Sequence, residues 1–500
     1  VDGADSIVSS VWQAAARHPQ RCALKDGDLE ISYAELVSRC EAVARGLRAS
    51  GLCPGDRVAL ILPNCVGFVV AWYGTMLAGG VAVLLNAAAK ARDFTTWLAH
   101  SEAKFLVCDP SNQEAQRAVE RLPATVAPTL LAVTGERHES CEFSLTAPDA
   151  IVPPGGNTPA LILYTSGTTG QPKGVLLSHA NLASNTASIV HYLGLTAADS
   201  TVTVLPFYYS YGGSVLHTHL SVGARVVLER NLVYPQVIVE ALARERVSGF
   251  AGVPSTYALL LSRVKLAEHD LSSLRYVTQA GGAMSPAVTQ RLQAALPHAS
   301  IFVMYGQTEA TARLTYLPPA RLKDKLGSAG IAIPGVRIEI RRSEGSVAAI
   351  DEVGEVWAAG ANVMLGYWRN DAQSAEVKRD GWLKTGDMGR LDAEGFLYLV
   401  GRRSDMIKTG AHRVHPQDIE DVICELPEIQ EACVIGVDDE LLGQTIRAFV
   451  VPAAGAVLAP MQVQAHCRER LATYKVPKSV AIVASLPKTD SGKIRRAELK

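Results

Sequence analysis

A chain of 500 residues exceeds what one hydrophobic core organises, so two or more domains are expected. Hydrophobic residues at 48% and charged residues at 19% exclude a disordered chain, and a net charge of -1 excludes general attraction to nucleic acid or an anionic membrane. Nine cysteines, scattered, odd in number and never in a C-x-x-C pair, argue against a disulfide framework or a zinc site of usual spacing.

The N-terminal VDGADSIVSSVWQAAARHP has no basic segment followed by a long apolar core, so no signal peptide is expected; it opens without methionine, so a few terminal residues are expected to be missing. No apolar run reaches the roughly 18 to 20 residues of a bilayer span. A cytoplasmic chain with reduced thiols is the simplest expectation. RVALILP (57–63), GVAVLLN (80–86) and KFLVCD (104–109) then read as buried strands with helical patterns between them.

The stretch LILYTSGTTGQPKGVLLSH (161–179) joins two apolar runs through a loop of hydroxyls and glycines. Thr165, Ser166, Thr168 and Thr169 offer hydroxyls, Gly167 and Gly170 let backbone N–H groups approach an anion, and Lys173 adds a point charge. The spacing is not that of the familiar mononucleotide loop, because two residues, not four, separate the glycines and the lysine does not follow directly. A phosphate site of another kind is expected.

TVTVLPF (201–207), RVVLE (225–229), GFAGVPS (249–255), RYVTQAGG (275–282) and SIFVMYG (300–306) continue the alternation. Stacked α/β layers with largely parallel sheets follow, with ligand loops beyond the carboxyl ends of strands. Tyr164–Lys173, Ala280–Ala283 and Tyr305–Glu309 all fall there. After about residue 320, VRIEIRR, GEVWAAG and GFLYLVGRR suggest a smaller β-rich subdomain, to about 401. From residue 402 to 500 a compact α+β unit is expected, with strands in EACVIGV, TIRAFVVP and SVAIVASLP and a charged, turn-like junction at 401–405.

Five segments, in order, resemble the adenylate-forming superfamily of acyl-CoA synthetases, adenylation domains and luciferases. They are YTSGTTGQPKG (164–174), YGQTE (305–309), TGD (385–387), GRRSDMIKTGAHRVHPQDIE (401–420) and PKTDSGKIRR (487–496). The resemblance implies a large ATP- and acid-binding domain over 1–401 and a small mobile domain over 402–500. It makes the first loop the grip on the ATP phosphates. Gly281, Gly282, Ala283, Tyr305 and Gly306 would lie along adenine, and Asp387 with Arg402 would hold the ribose. Thr308 would help hold phosphate and Glu309 the magnesium ion, while Lys493 would neutralise charge where carboxylate meets α-phosphate. Lys408 and Gly410 would serve the thiol side after rotation about a hinge at Ser404, a position where the family usually has Asp or Lys.

The implied reaction makes an acyl-adenylate and pyrophosphate, then passes the acyl group to a thiol, most simply that of coenzyme A. The acyl pocket would begin at PFYYSYGG (206–213), where Tyr208, Tyr209, Ser210, Tyr211 and also Gly282 face the acid. Tyr209 replaces the histidine of many acyl-CoA synthetases, and the lack of an aspartate disfavours an α-amino acid. An aryl or medium acyl acid with a polar handle suits the tyrosines. Two alternatives stand beside this reading: loading the phosphopantetheine of a separate carrier protein, and a nucleotide sensor without catalysis, against which Glu309 and Lys493 argue. The partners implied are the acid, ATP, magnesium and a thiol, with no nucleic acid, on a monomer or homodimer. His217, His219, His412 and His415 lack ligands at metal spacing and read as structural.

Overall fold

The computed structural model describes residues 6–135, 140–141, 152–165, 173–229, 234–402, 405–409, 412–439, 443–489 and 492–499. The first apolar runs form adjacent parallel strands, Arg57–Ile61 between Val81–Leu85 and Ala103–Cys108. The hairpin Pro159–Thr165 and Lys173–Ser178 extends this eight-stranded sheet, pairing parallel to Val81–Leu85. A nine-stranded sheet takes Ser200–Thr203, Arg225–Leu228, Gly249–Gly252, Tyr276–Gln279 and Ser300–Tyr305 as its parallel centre.

The helix Val66–Leu77 is buried at every residue, as an all-round apolar helix must be. It lies in the largest core, where Phe68 and Trp72 meet Phe207 and the Ser210–Val222 helix. Two expected strands end early. Ser200–Thr203 stops before Pro206, and Gly249–Gly252 gives way to the helix Pro254–Arg263, because proline suits a first helical position and cannot donate within a sheet.

Val336–Arg341, Gly354–Gly360, Trp382–Leu391 and Leu397–Arg402 form a separate antiparallel sheet with the short Lys378–Arg379. A second small sheet holds Ile407–Thr409, His412–Val414, Ile429–Asp439, Gly443–Pro452 and Ser479–Ile482. With the helices Pro416–Ile423 and Pro460–Arg470 it encloses its own core of Ile407, Ile419, Ile423, Val434, Ile446 and Val463. The fold is therefore mixed α/β, a large N-terminal domain carrying a small C-terminal one. Among the described residues no helix is long and apolar enough to cross a membrane, and Cys22, Cys40, Cys53, Cys65, Cys108, Cys424, Cys433 and Cys467 are free.

Candidate functional site

In the neighbouring parallel strands Tyr276–Gln279 and Ser300–Tyr305, Gln279 lies opposite Val303, so the second runs two residues further before each releases a turn at the same sheet edge. In the first, Gln279 Nε2 donates to Gly282 O at 2.7 Å and fixes the turn, leaving Gly282 and Ala283 exposed and Gly281 half-buried. In the second, a Cβ on Gly306 would stand 2.1 Å from Ala312 O and 2.7 Å from Arg313 Cα. Only glycine lets the chain pass so close to the returning segment, which explains Y-G at this strand end.

Tyr305 is buried, and its hydroxyl donates to Asp387 Oδ2 at 2.6 Å. Arg402 faces Asp387 across the antiparallel pair Trp382–Leu391 and Leu397–Arg402, with Nε 3.3 Å from Oδ1. Burial raises the Asp387 carboxyl above its ordinary range, outweighing Arg402, the Tyr305 hydrogen bond and Lys493, which all lower it. The Arg402 guanidinium is raised in turn, chiefly by Asp387. The three residues expected around adenine and ribose thus form one bonded unit.

Glu309 lies four residues beyond Tyr305, and its Oε1 accepts from the Tyr367 hydroxyl at 2.9 Å. Burial and then the Glu309 charge push the Tyr367 phenol up, so it stays protonated and donates. Lys173 Nζ lies 5.7 Å from the Tyr367 ring centroid and stands opposite Thr165 in the hairpin. Thr308 Oγ1 and Ser210 Oγ are 3.3 Å apart, which joins the YGQTE turn to the start of the Ser210–Val222 helix. Ser166, Gly167, Thr168, Thr169 and Gly170 lie outside the described residues.

Lys493 comes from the C-terminal domain to the same cleft. Its loop is closed on itself by Thr489 N to Lys493 O at 2.7 Å and Lys493 N to Thr489 Oγ1 at 3.1 Å. Gly492, at φ +79°, packs so closely that a Cβ would lie 2.9 Å from both Ser255 Oγ and Val253 Cγ2 of the large domain. Behind the loop, Arg496 pairs with Glu420 and donates to Val434 O at 2.7 Å, tying it to the small domain. Lys493 is exposed to solvent, yet many protein atoms stand around its ammonium. That desolvation, then Arg402, holds its ammonium below the usual lysine range, while Glu309 and Asp387 pull the other way.

The acyl-side residues divide. The Tyr208 and Tyr209 rings lie 4.6 Å apart, while Tyr211 is buried with its hydroxyl donating to Thr278 O at 2.8 Å. Lys408 is exposed on Ile407–Thr409, its ammonium unpaired among the described residues; Gly410 and Ser404 lie outside them. Tyr367 and Gln279 escaped the sequence reading, since neither sits in a recognisable motif. His217 and His219 are helical and buried, bonded to Tyr73 and Tyr276, and burial pushes them down to about 3 and about 4. No three His, Cys, Asp or Glu among the described residues could share a metal ion. A lone Glu309 suits an ion that takes most of its ligands from nucleotide phosphates and water, as magnesium does.

The chain as a whole is similar to known proteins. Residues 11–368 match the AMP-binding enzyme family and residues 418–493 the AMP-binding enzyme C-terminal domain. A feruloyl-CoA synthase of Amycolatopsis sp is 34% identical over 97% of this chain and 96% of its own length. An oxalate–CoA ligase of Arabidopsis thaliana is 32% identical over 98% and 97%. The o-succinylbenzoate coenzyme A synthetase of Bacillus subtilis, solved with ATP and magnesium ion, superposes with a TM-score of 0.85 at 30% identity, covering 98% of each chain.

Proposed function

The chain belongs to the AMP-binding enzyme family, and from that premise we propose that it is an AMP-forming acid–CoA ligase acting on an aryl or medium-chain acyl acid. The observation that carries the reading is the arrival of Lys493 from the small domain at a cleft already holding Glu309, Asp387 and Arg402.

A carboxylate is a poor electrophile because its charge repels nucleophiles. Here one carboxylate oxygen attacks the α-phosphate of ATP, the bond to the β-phosphate oxygen breaks, and pyrophosphate leaves. The reaction needs positioning and charge neutralisation more than covalent help. Lys493 offers a cation to the charge that gathers around the α-phosphate, and Lys173 one to the departing phosphates. Thr308, held by Ser210, orients a phosphate oxygen. Asp387 and Arg402 take the ribose, and Tyr305 takes adenine. Glu309, steadied by Tyr367, would hold magnesium, which supplies neutralising charge to the phosphates.

In the second step the coenzyme A thiol attacks the acyl carbonyl and AMP leaves. Rotation of the small domain would withdraw Lys493 and bring Lys408 and Gly410 to the cleft, with the junction around Ser404 as hinge. The enzyme would work in the cytoplasm, where ATP and coenzyme A occur together. The test is ATP–pyrophosphate exchange over a panel of carboxylic acids, with coenzyme A and a pantetheinylated carrier protein as acceptors. Acid-dependent exchange and acyl-CoA formation are expected. Exchange with acyl transfer to the carrier alone would replace coenzyme A as acceptor, and no exchange with any acid would overturn the ligase reading.

A further inference from the structure

Arg313 is 2% exposed, yet no carboxylate pairs with it among the described residues. Its Nε points to Met304 Sδ, a weak acceptor, and its Nη1 to Ala312 O, a long contact, both at 3.4 Å. The planar group lies 4.0 Å from the centroid of the Tyr211 ring, with the Tyr192 hydroxyl, itself bonded to Met304 Sδ at 3.0 Å, beside it. The Tyr211 ring offsets part of the desolvation cost, but a buried guanidinium without a carboxylate remains costly and suits an anionic partner.

The guanidinium lines an internal cavity with Thr201, Ser214, Thr218 and Thr278, and no acidic residue lines it. His219 also borders it, but both its ring nitrogens are engaged, with Val215 O and with the Tyr276 hydroxyl, and burial keeps it neutral. The cavity therefore presents one fixed cation, with these hydroxyls and the apolar Ile189, Leu193, Val215, Ala251 and Met304 around it. It also lies behind the reaction site. Ser210, bonded to Thr308, and Ser214, on the cavity wall, are one turn apart on the Ser210–Val222 helix, a rise of ~6 Å. Thr278 and Met304 directly precede Gln279, which holds the Gly282 turn, and Tyr305.

We propose that Arg313 is a specificity-determining residue of the acyl pocket and that the activated acid carries a second carboxylate, which enters this cavity and pairs with the guanidinium. The inference rests on the acid–CoA ligase reading and names its substrate class. A carboxylate offers the bidentate acceptor that a guanidinium fits and that this one lacks. Tyr211, held by Thr278 O and Oγ1 at 2.8 and 2.9 Å, keeps the guanidinium plane in place to receive it.

The test compares matched acids in pyrophosphate exchange: hexanoate with adipate, and 4-phenylbutanoate with 4-(4-carboxyphenyl)butanoate. The wild type should favour the diacid of a pair by about 100-fold in kcat/KM, since a site built for a polar group rejects an analogue lacking it. Arg313→Met should erase that ratio, mainly through the KM of the diacid, and Arg313→Lys should restore part of it. The wild-type ratios stand alone if the variants fold poorly. Preference for the monoacid in both pairs overturns the inference, as does an Arg313→Met enzyme that keeps the wild-type ratio. Exchange with monoacids alone leaves the ligase reading intact, whereas no exchange with any acid overturns both.

Discussion

The two ends of the cleft treat charge in opposite ways. At the nucleotide end the carboxylates are already engaged: Asp387 with Tyr305 and Arg402, Glu309 with Tyr367. At the acyl end one guanidinium is buried against a tyrosine ring and a thioether with no acid beside it among the described residues. The difference teaches where the variable part of the substrate goes. A site for an invariant ligand can be preset by its own bonds, so little reorganisation remains at the moment of reaction. A site that must recognise one acid among many keeps its strongest group for that acid.

The comparison breaks most sharply at Lys493. Lys493→Ala should lower acid-dependent exchange by about 10²- to 10³-fold, the size of losing one preorganised charge at the reacting phosphate. A decrease below tenfold would mean that the nucleotide end does not depend on the small domain in this arrangement. Tyr367→Phe removes the bond to Glu309, and the magnesium concentration for half-maximal exchange should rise about 10-fold, as when a metal ligand loses its support. Diacid preference should stay the same in that variant. Thr278→Val is the mirror experiment, since it removes one of the two hydrogen bonds that hold the Tyr211 hydroxyl. Acid selectivity should fall about fivefold, the worth of one hydrogen bond, with the KM for ATP unmoved. If either variant disturbs both ends equally, the ends are not separable.

A smaller effect should appear in the pH profile. Because Lys493 is held below the usual lysine range, its ammonium is lost earlier as pH rises. The kcat/KM for ATP, which reports the free enzyme, should therefore fall on an alkaline limb below the range of an exposed lysine, and Lys493→Arg should move that limb upward. The smallest lies away from the cleft. Burial pushes the Asp421 carboxyl up to about 7, so between its ordinary value of 3.8 and that point the folded state binds more protons than the unfolded one. Stability should decline as pH rises through this window, and the melting-temperature advantage of Asp421→Asn should grow from pH 5 to pH 8. An advantage that stays constant would contradict the burial of this carboxyl.

The nucleotide end was legible in the sequence because its chemistry is local. Tyr305, Thr308 and Glu309 share one strand end and turn, and Asp387 and Arg402 sit in short recognisable stretches. Tyr367 was not, because it meets Glu309 from 58 positions away and carries no pattern of its own. Arg313 was hidden for a different reason. In A-T-A-R-L an arginine reads as surface, where most arginines lie, and only the packing of Tyr211 and Met304 around it reveals its burial. The strands that ended early failed at proline, where a continuing apolar run looked the same whether it stayed in the sheet or turned into a helix.

The most direct test of the account follows one oxygen atom. The acid labelled with ¹⁸O in the carboxylate to be activated is turned over with ATP and coenzyme A, and the nucleotide products are weighed. Attack on the α-phosphate places one labelled oxygen on AMP and none on pyrophosphate. Label in orthophosphate with ADP as the nucleotide product, or no label in AMP, would contradict the adenylate chemistry assigned to this cleft.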